Sequence, residues 1–127
     1  MIAKHLNRHL RPGDRIWVWG WHLWDCYAYT GHLSGSAVYK SMGLLTRPND
    51  DTWRTPGSKL RMLEPSPYRK KLITELERTR PAYIVLGSTV PRHAFAELQV
   101  LLRDNYVRDR RVRLGRVQFW RRRDHVN

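Results

Sequence analysis

The sequence predicts an α/β fold: a mainly parallel, Rossmann-like three-layer sheet closed by a C-terminal antiparallel hairpin. Three observations lead there. Two short apolar runs ending in glycine, Ile16-Trp17-Val18-Trp19-Gly20 and Ala82-Tyr83-Ile84-Val85-Leu86-Gly87, read as strands buried on both faces. Stretches with apolar residues every three or four positions stand before and after each run, the helix–strand alternation of a parallel sheet with crossovers. A chain of 127 residues that is 41% hydrophobic, with six Trp and six Tyr, is long and apolar enough for one core, so residues 1–127 are read as a single domain.

The elements follow in order. Ile2, Leu6 and Leu10 recur every four residues among Lys4, His5, Arg8 and His9, an amphipathic helix within residues 1–11 that stops before Pro12-Gly13. His5 and His9 fall on its polar side. After the first strand, Trp21 to Tyr29 reads as a short helix closed by Thr30-Gly31, and Ala37-Val38-Tyr39 as a weaker strand. Residues 46–67 hold four prolines with Asn49, Asp50, Asp51 and Gly57, and are expected to form an irregular loop. Ser66-Pro67 opens a helix, with Ser as cap and Pro in the first turn, whose Tyr68, Leu72 and Leu76 line one face until Arg80-Pro81. Beyond the second strand, a helix carrying Phe95, Leu98, Leu101 and Leu102 follows Ser88-Thr89 and runs to about Asn105. The tail reads as a hairpin, Tyr106 to Arg113 and Arg116 to Arg122, turning at Leu114-Gly115, with Val117 and Phe119 on one face and Gln118 and Trp120 on the other.

Charge is the strongest functional signal. The net charge is +13, from 24 Lys and Arg against 11 Asp and Glu, and the segment 103–123 alone holds nine Arg and two Asp. Such a field attracts phosphates on a carrier, a lipid head group or a nucleic acid. Arg108, Arg110, Arg111, Arg113 and Arg116 are the candidate anion contacts. Ligands of open sheets sit beyond the carboxyl ends of the strands. The candidate crevice is therefore Trp21, His22, Trp24, Gly87, Ser88 and Thr89.

Other chemistry is weakly represented. His5 and His9 are one helical turn apart but have no evident third ligand, so no metal is expected. Gly31-His32-Leu33-Ser34-Gly35 lacks the spacing and the preceding strand of a nucleophile elbow. No phosphate-loop or dinucleotide fingerprint occurs, and no cofactor is expected. Asp50-Asp51 reads as a solvated turn, and Asp25 stands alone. The lone Cys26, set among aromatics, forms no internal disulfide and reads as buried. The Trp residues of the first strand read as core rather than as a stacking surface. No apolar run exceeds six residues, far short of the roughly 20 of a membrane-spanning helix. The N-terminal MIAKHLNRHLRPGD lacks the apolar middle of a secretory signal.

The string Leu10-Arg11-Pro12-Gly13-Asp14-Arg15-Ile16-Trp17-Val18-Trp19-Gly20, with Thr30-Gly31 after it, resembles a segment of certain bacterial membrane glycosyltransferases. These polytopic enzymes are related to the dolichyl-phosphate-mannose protein mannosyltransferases and the aminoarabinose-transferase-like proteins. Arg80-Pro81-Ala82-Tyr83-Ile84-Val85, then Phe95, Leu98, Asn105 and Tyr106, then Trp120-Arg121-Arg122, continue the likeness across the chain except residues 46–67. The resemblance implies a C-terminal extracytoplasmic domain on the outer face of a bacterial inner membrane, with the gene continuing upstream through many apolar helices. It implies a partner in the membrane-spanning catalytic part of the same protein, and a polyprenyl-phosphate carrier or anionic head groups as ligands. Since the family's catalytic carboxylates lie in that membrane part, no catalytic residue is carried over and no catalysis is expected from this chain alone. The expected function is an accessory or acceptor-recognition domain. The alternative is a free-standing basic nucleic-acid-binding protein, for which the Arg-dense hairpin would grip a phosphate backbone.

Overall fold

The computed structural model describes residues 2–20, 31–36, 46–48, 60–62, 67–87, 92–114 and 116–124. Helix α1 (Ile2–His9) leads into strand β1 (Ile16–Trp19); a two-stranded ladder pairs β2 (Thr46–Pro48) with β3 (Leu60–Met62). Helix α2 (Pro67–Thr79), strand β4 (Tyr83–Leu86), a 3-10 turn (Arg92–Ala94), helix α3 (Ala96–Asn105) and the hairpin β5 (Tyr106–Leu114) and β6 (Val117–Arg122) complete the order.

The main sheet runs β1-β4-β6-β5. β1 and β4 are parallel, with Trp19 beside Leu86, as the two glycine-ended runs require. β4–β6 and β5–β6 are antiparallel. The sheet is therefore mixed, and among the described residues the expectation of a mainly parallel one is not met. The physical reason lies after α3. The chain leaves that helix directly into β5, and β6 folds back to insert between β5 and β4, so the hairpin supplies two antiparallel pairings where a further crossover would have supplied a parallel one. A second parallel contact exists at the other edge. Ile16 N–H donates to Leu33 O (3.0 Å) and Gly35 N–H to Ile16 O (2.9 Å), bridging Ile16 and Ser34. The strand expected at Ala37–Tyr39 and the helix expected at Trp21–Tyr29 lie outside the described residues, as does Cys26.

Within 46–67, three residues at each side pair in register, Thr46 with Met62 and Pro48 with Leu60. The expected irregular loop thus carries a ladder. Its prolines and short length hid the period of two from which strands are read.

Both faces of the sheet are covered. Trp17, Trp19, Ile84 and Leu86 pack with Leu72 and Leu76 of α2 and Leu98, Leu101 and Leu102 of α3. Ile16, Val18, Tyr83, Val85 and Phe119 pack on the opposite face under Leu6, with Ile2 and Leu10 against them. Each such aliphatic side chain removed from water contributes roughly 1.5–3 kcal/mol. The hairpin alternates as expected, with Val117 and Phe119 on the α1 face and Trp120 on the other.

Turn chemistry sets the entries. Asp14 N–H donates to Arg11 O (3.0 Å) around Pro12-Gly13, with Gly13 at φ 85°, the type II turn that Pro-Gly favours. α2 ends at Arg80, whose φ of 48° is a left-handed position occupied without glycine. α3 starts later than expected, with Phe95 at its cap position rather than inside it.

Candidate anion-binding end of the sheet

Strand direction decides which residues share an end. β1 and β4 finish together, and the Gly87 N–H donates to Trp19 O at 2.6 Å. β6 starts beside that point, Gln118 pairing with Leu86, so the turn between β5 and β6 lies at the carboxyl end of the parallel pair. β5 climbs toward the same end. Between the Asp109–Phe119 and Leu114–Val117 pairs it advances five positions while β6 advances two, so the segment 110–113 bulges from the ladder. Arg110 and Arg116 are exposed there and make no hydrogen bond or ion pair among the described residues.

The predicted anion contacts thus divide. Arg110 and Arg116 face solvent. Arg111 is half exposed, but its guanidinium turns back to Asp109, Nη2 to Oδ2 at 2.8 Å and Nε to Oδ1 at 3.0 Å. Arg108 is half-buried opposite Trp120. Arg113 occupies a position in β5, its side chain outside the described residues. Of the predicted crevice, Gly87 is buried at the end of β4, and Trp21, His22, Trp24, Ser88 and Thr89 lie outside the described residues.

Both α2 and α3 point their N-terminal ends at this same end of the sheet. Their first turns are joined by the Arg69–Glu97 pair at 2.9 Å, and the Arg69 guanidinium lies 5.0 Å over the Phe95 ring. Phe95 in turn meets Trp19 edge-on, centroids 5.6 Å apart. Trp19 is fully buried, and its indole N–H makes no hydrogen bond among the described residues.

Among the described residues the most organised polar group centres on Asp109, which was not a predicted site residue, and takes in Arg111, which was. The Asp109 side chain, 1% exposed, also accepts from Tyr83 Oη (3.0 Å), the Arg111 backbone N–H (3.1 Å) and His5 Nε2 (3.3 Å). An ionised carboxylate only accepts, so His5 carries its proton on Nε2. The Arg111 guanidinium holds the Asp109 carboxyl well below the usual carboxylate range, against the opposing effect of burial. Burial lowers the His5 pKa, opposed by Asp109; His9, its ring 4.7 Å away, is also lowered by burial, with Arg111 adding to the effect. The expectation that both histidines lie on a polar face is corrected for His5, which is buried against Phe119 and Tyr83. The available signal was Asp109 itself, an acid set among arginines at the alternation step that faces Phe119 across the ladder.

A second polar anchor closes the opposite end of the sheet. Tyr106 Oη donates to Pro81 O at 2.6 Å, and burial raises the pKa of that phenol. An open groove of about 430 Å³ runs beside it between α2 and α3, floored by Leu76, Leu101 and Tyr106 and edged by both signs of charge. Among the described residues no group of three His, Cys, Asp or Glu side chains is placed to hold a metal, and no helix is long and apolar enough to cross a membrane. Comparison with protein-family models, with curated proteins and with solved structures finds no match to this chain.

Proposed function

We propose that this chain is a recognition domain that offers its basic sheet end to the phosphate of a polyprenyl-phosphate sugar carrier, alongside a membrane-spanning glycosyltransferase part of the same protein on the extracytoplasmic face of a bacterial inner membrane. The observation that carries this reading is the placement of Arg110 and Arg116, exposed and without a carboxylate partner among the described residues, at the end where β1 and β4 finish. Asp109, the acid next to Arg110 in the chain, is already engaged by Arg111. The uncompensated guanidinium groups are therefore available to an external anion. The resemblance of Pro12-Gly13-Asp14-Arg15 with its strand, and of Arg80-Pro81-Ala82-Tyr83-Ile84-Val85, supports the choice of carrier.

Sedimentation with phosphatidylcholine vesicles, with and without a polyprenyl phosphate, tests this. Binding is expected only to the phosphate-bearing vesicles. Arg110→Ala and Arg116→Ala are each expected to weaken it about fivefold, the ratio for ~1 kcal/mol per basic residue at an anionic surface. Equal binding to both vesicles, or no change in either variant, overturns the reading. Tight binding to duplex DNA with a steep salt slope, and none to the vesicles, would favour the nucleic-acid alternative.

A further inference from the structure

The outer face of α1 carries charge of one sign. Leu6 is buried against the sheet with Ile2 and Leu10 packed beside it, and the His5 ring meets Phe119 edge-on. A period of 3.6 residues then turns Lys4, Asn7 and Arg8 away from the sheet, and all three are exposed. Residues 1–13 hold no Asp or Glu, and the carboxylate of Asp14 accepts from the Arg11 backbone N–H at 2.7 Å. Beneath the helix, Asp109 is taken by Arg111. Lys4 and Arg8 stand four residues apart, the spacing at which like charges repel along a helix, and no acid three or four positions away offsets either. The opposite side of the sheet is different, since exposed Glu77, Glu97 and Asp104 stand among the cations of α2 and α3.

We propose that the outer face of α1 is a docking surface for an anionic lipid bilayer, with Lys4 and Arg8 against the head groups. A bilayer presents negative charge spread over a plane, which an exposed helix face meets without any change in the fold. The repulsion between Lys4 and Arg8, borne by the folded chain alone, is relieved there. The choice of a bilayer over a nucleic acid rests on the carrier-recognition reading, and the proposal adds the side from which the domain meets the lipid.

Sedimentation of the whole chain with vesicles of equal parts phosphatidylglycerol and phosphatidylcholine tests it. Binding is expected, and the double variant Lys4→Gln with Arg8→Gln, which keeps good helix formers, is expected to weaken it about thirtyfold. That is the ratio for ~1 kcal/mol at each of two basic residues. Lys70→Gln with Lys71→Gln removes the same charge from exposed positions of α2 and is expected to matter far less. Should the α1 variant fail to fold, nitroxide-labelled head groups decide with the wild-type chain, by broadening the backbone signals of α1 more than those of α2. No binding to these vesicles, equal losses in the two double variants, broadening led by α2, or capture of duplex DNA through Lys4 and Arg8 without vesicle binding overturns the proposal. Arg110-dependent binding of polyprenyl phosphate that is indifferent to Lys4 and Arg8 would sink this surface alone. Phosphatidylglycerol binding through Lys4 and Arg8 with no preference for polyprenyl phosphate would sink the carrier reading alone.

Discussion

Replacing Asp109 is expected to be among the most costly single changes at a polar residue. Its carboxylate is 1% exposed and is the common acceptor for Tyr83, His5 and three N–H groups of Arg111. In Asp109→Ala the Tyr83 hydroxyl, on a fully buried residue, and the His5 ring, 8% exposed, each lose the Asp109 carboxylate as acceptor. A buried donor that loses its acceptor costs about 1–2 kcal/mol. The Arg111 side chain is 50% exposed and swings out to solvent, so the full loss of about 3–5 kcal/mol typical of a completely buried pair is not expected. The sum is about 2–4 kcal/mol. Asp109→Asn keeps one acceptor oxygen for Tyr83 and loses the charge-assisted pair, giving about 1–2 kcal/mol. Urea unfolding of the three proteins with a common slope provides the measurement. A loss below about 1 kcal/mol for Asp109→Ala, or equal losses for both variants, would refute the idea that the buried donors set the cost.

Three further outcomes are expected. A Cβ at Gly35 would stand 2.4 Å from Pro81 Cγ, a ring with no room to swing, so Gly35→Ala should lower stability by about 1–3 kcal/mol in thermal or urea unfolding. Arg80 sits at φ 48°, so Arg80→Gly should be about 1 kcal/mol more stable than Arg80→Ala, both lacking the guanidinium; equality would show that the left-handed position is unstrained. Because burial lowers the His5 and His9 pKa values, the unfolded chain takes up protons that the folded chain refuses as pH falls below about 6.5; stability should decline on acidification through that window, and more shallowly in His5→Gln. The depressed Asp109 acts in a lower window: its contribution is complete above the unfolded carboxylate value near about 4 and is lost below it.

What the sequence disclosed and what it concealed follow one division. Interactions encoded by period or by turn residues were legible: the two glycine-ended strands as neighbours, α1 by its four-residue spacing, Pro12-Gly13 as a turn, and the alternation of Val117, Gln118, Phe119 and Trp120. Interactions that depend on which distant segments meet were not. The insertion of β6 beside β4 is decided by pairing across more than thirty positions, and nothing in either strand specifies parallel or antiparallel. His5 reads as polar because periodicity assigns a face by residue type. It is buried because Asp109, 104 positions later, supplies the partner that makes burial tolerable. The β2–β3 ladder was hidden for a different reason, since three residues per strand are too few to show a period.

The Arg-rich hairpin shows why composition alone could not assign the candidate site. Nine guanidinium groups in 103–123 look equivalent in the sequence, yet the fold gives them separate tasks. Arg111 is drawn back onto a buried acid, Arg122 bridges Asp124 and the Arg80 carbonyl, and Arg123 donates to the carbonyl of Arg103. These hold the hairpin to the rest of the chain, and each spends donors that an external anion would need. Strand alternation turns Asp109 to the core under His5 and the next residue, Arg110, outward, and the bulge that follows takes the segment 110–113 off the ladder before Leu114 pairs with Val117. The capacity to bind an anion at this end therefore depends less on the total of +13 than on Arg110 and Arg116 standing exposed while Arg111 is drawn onto Asp109.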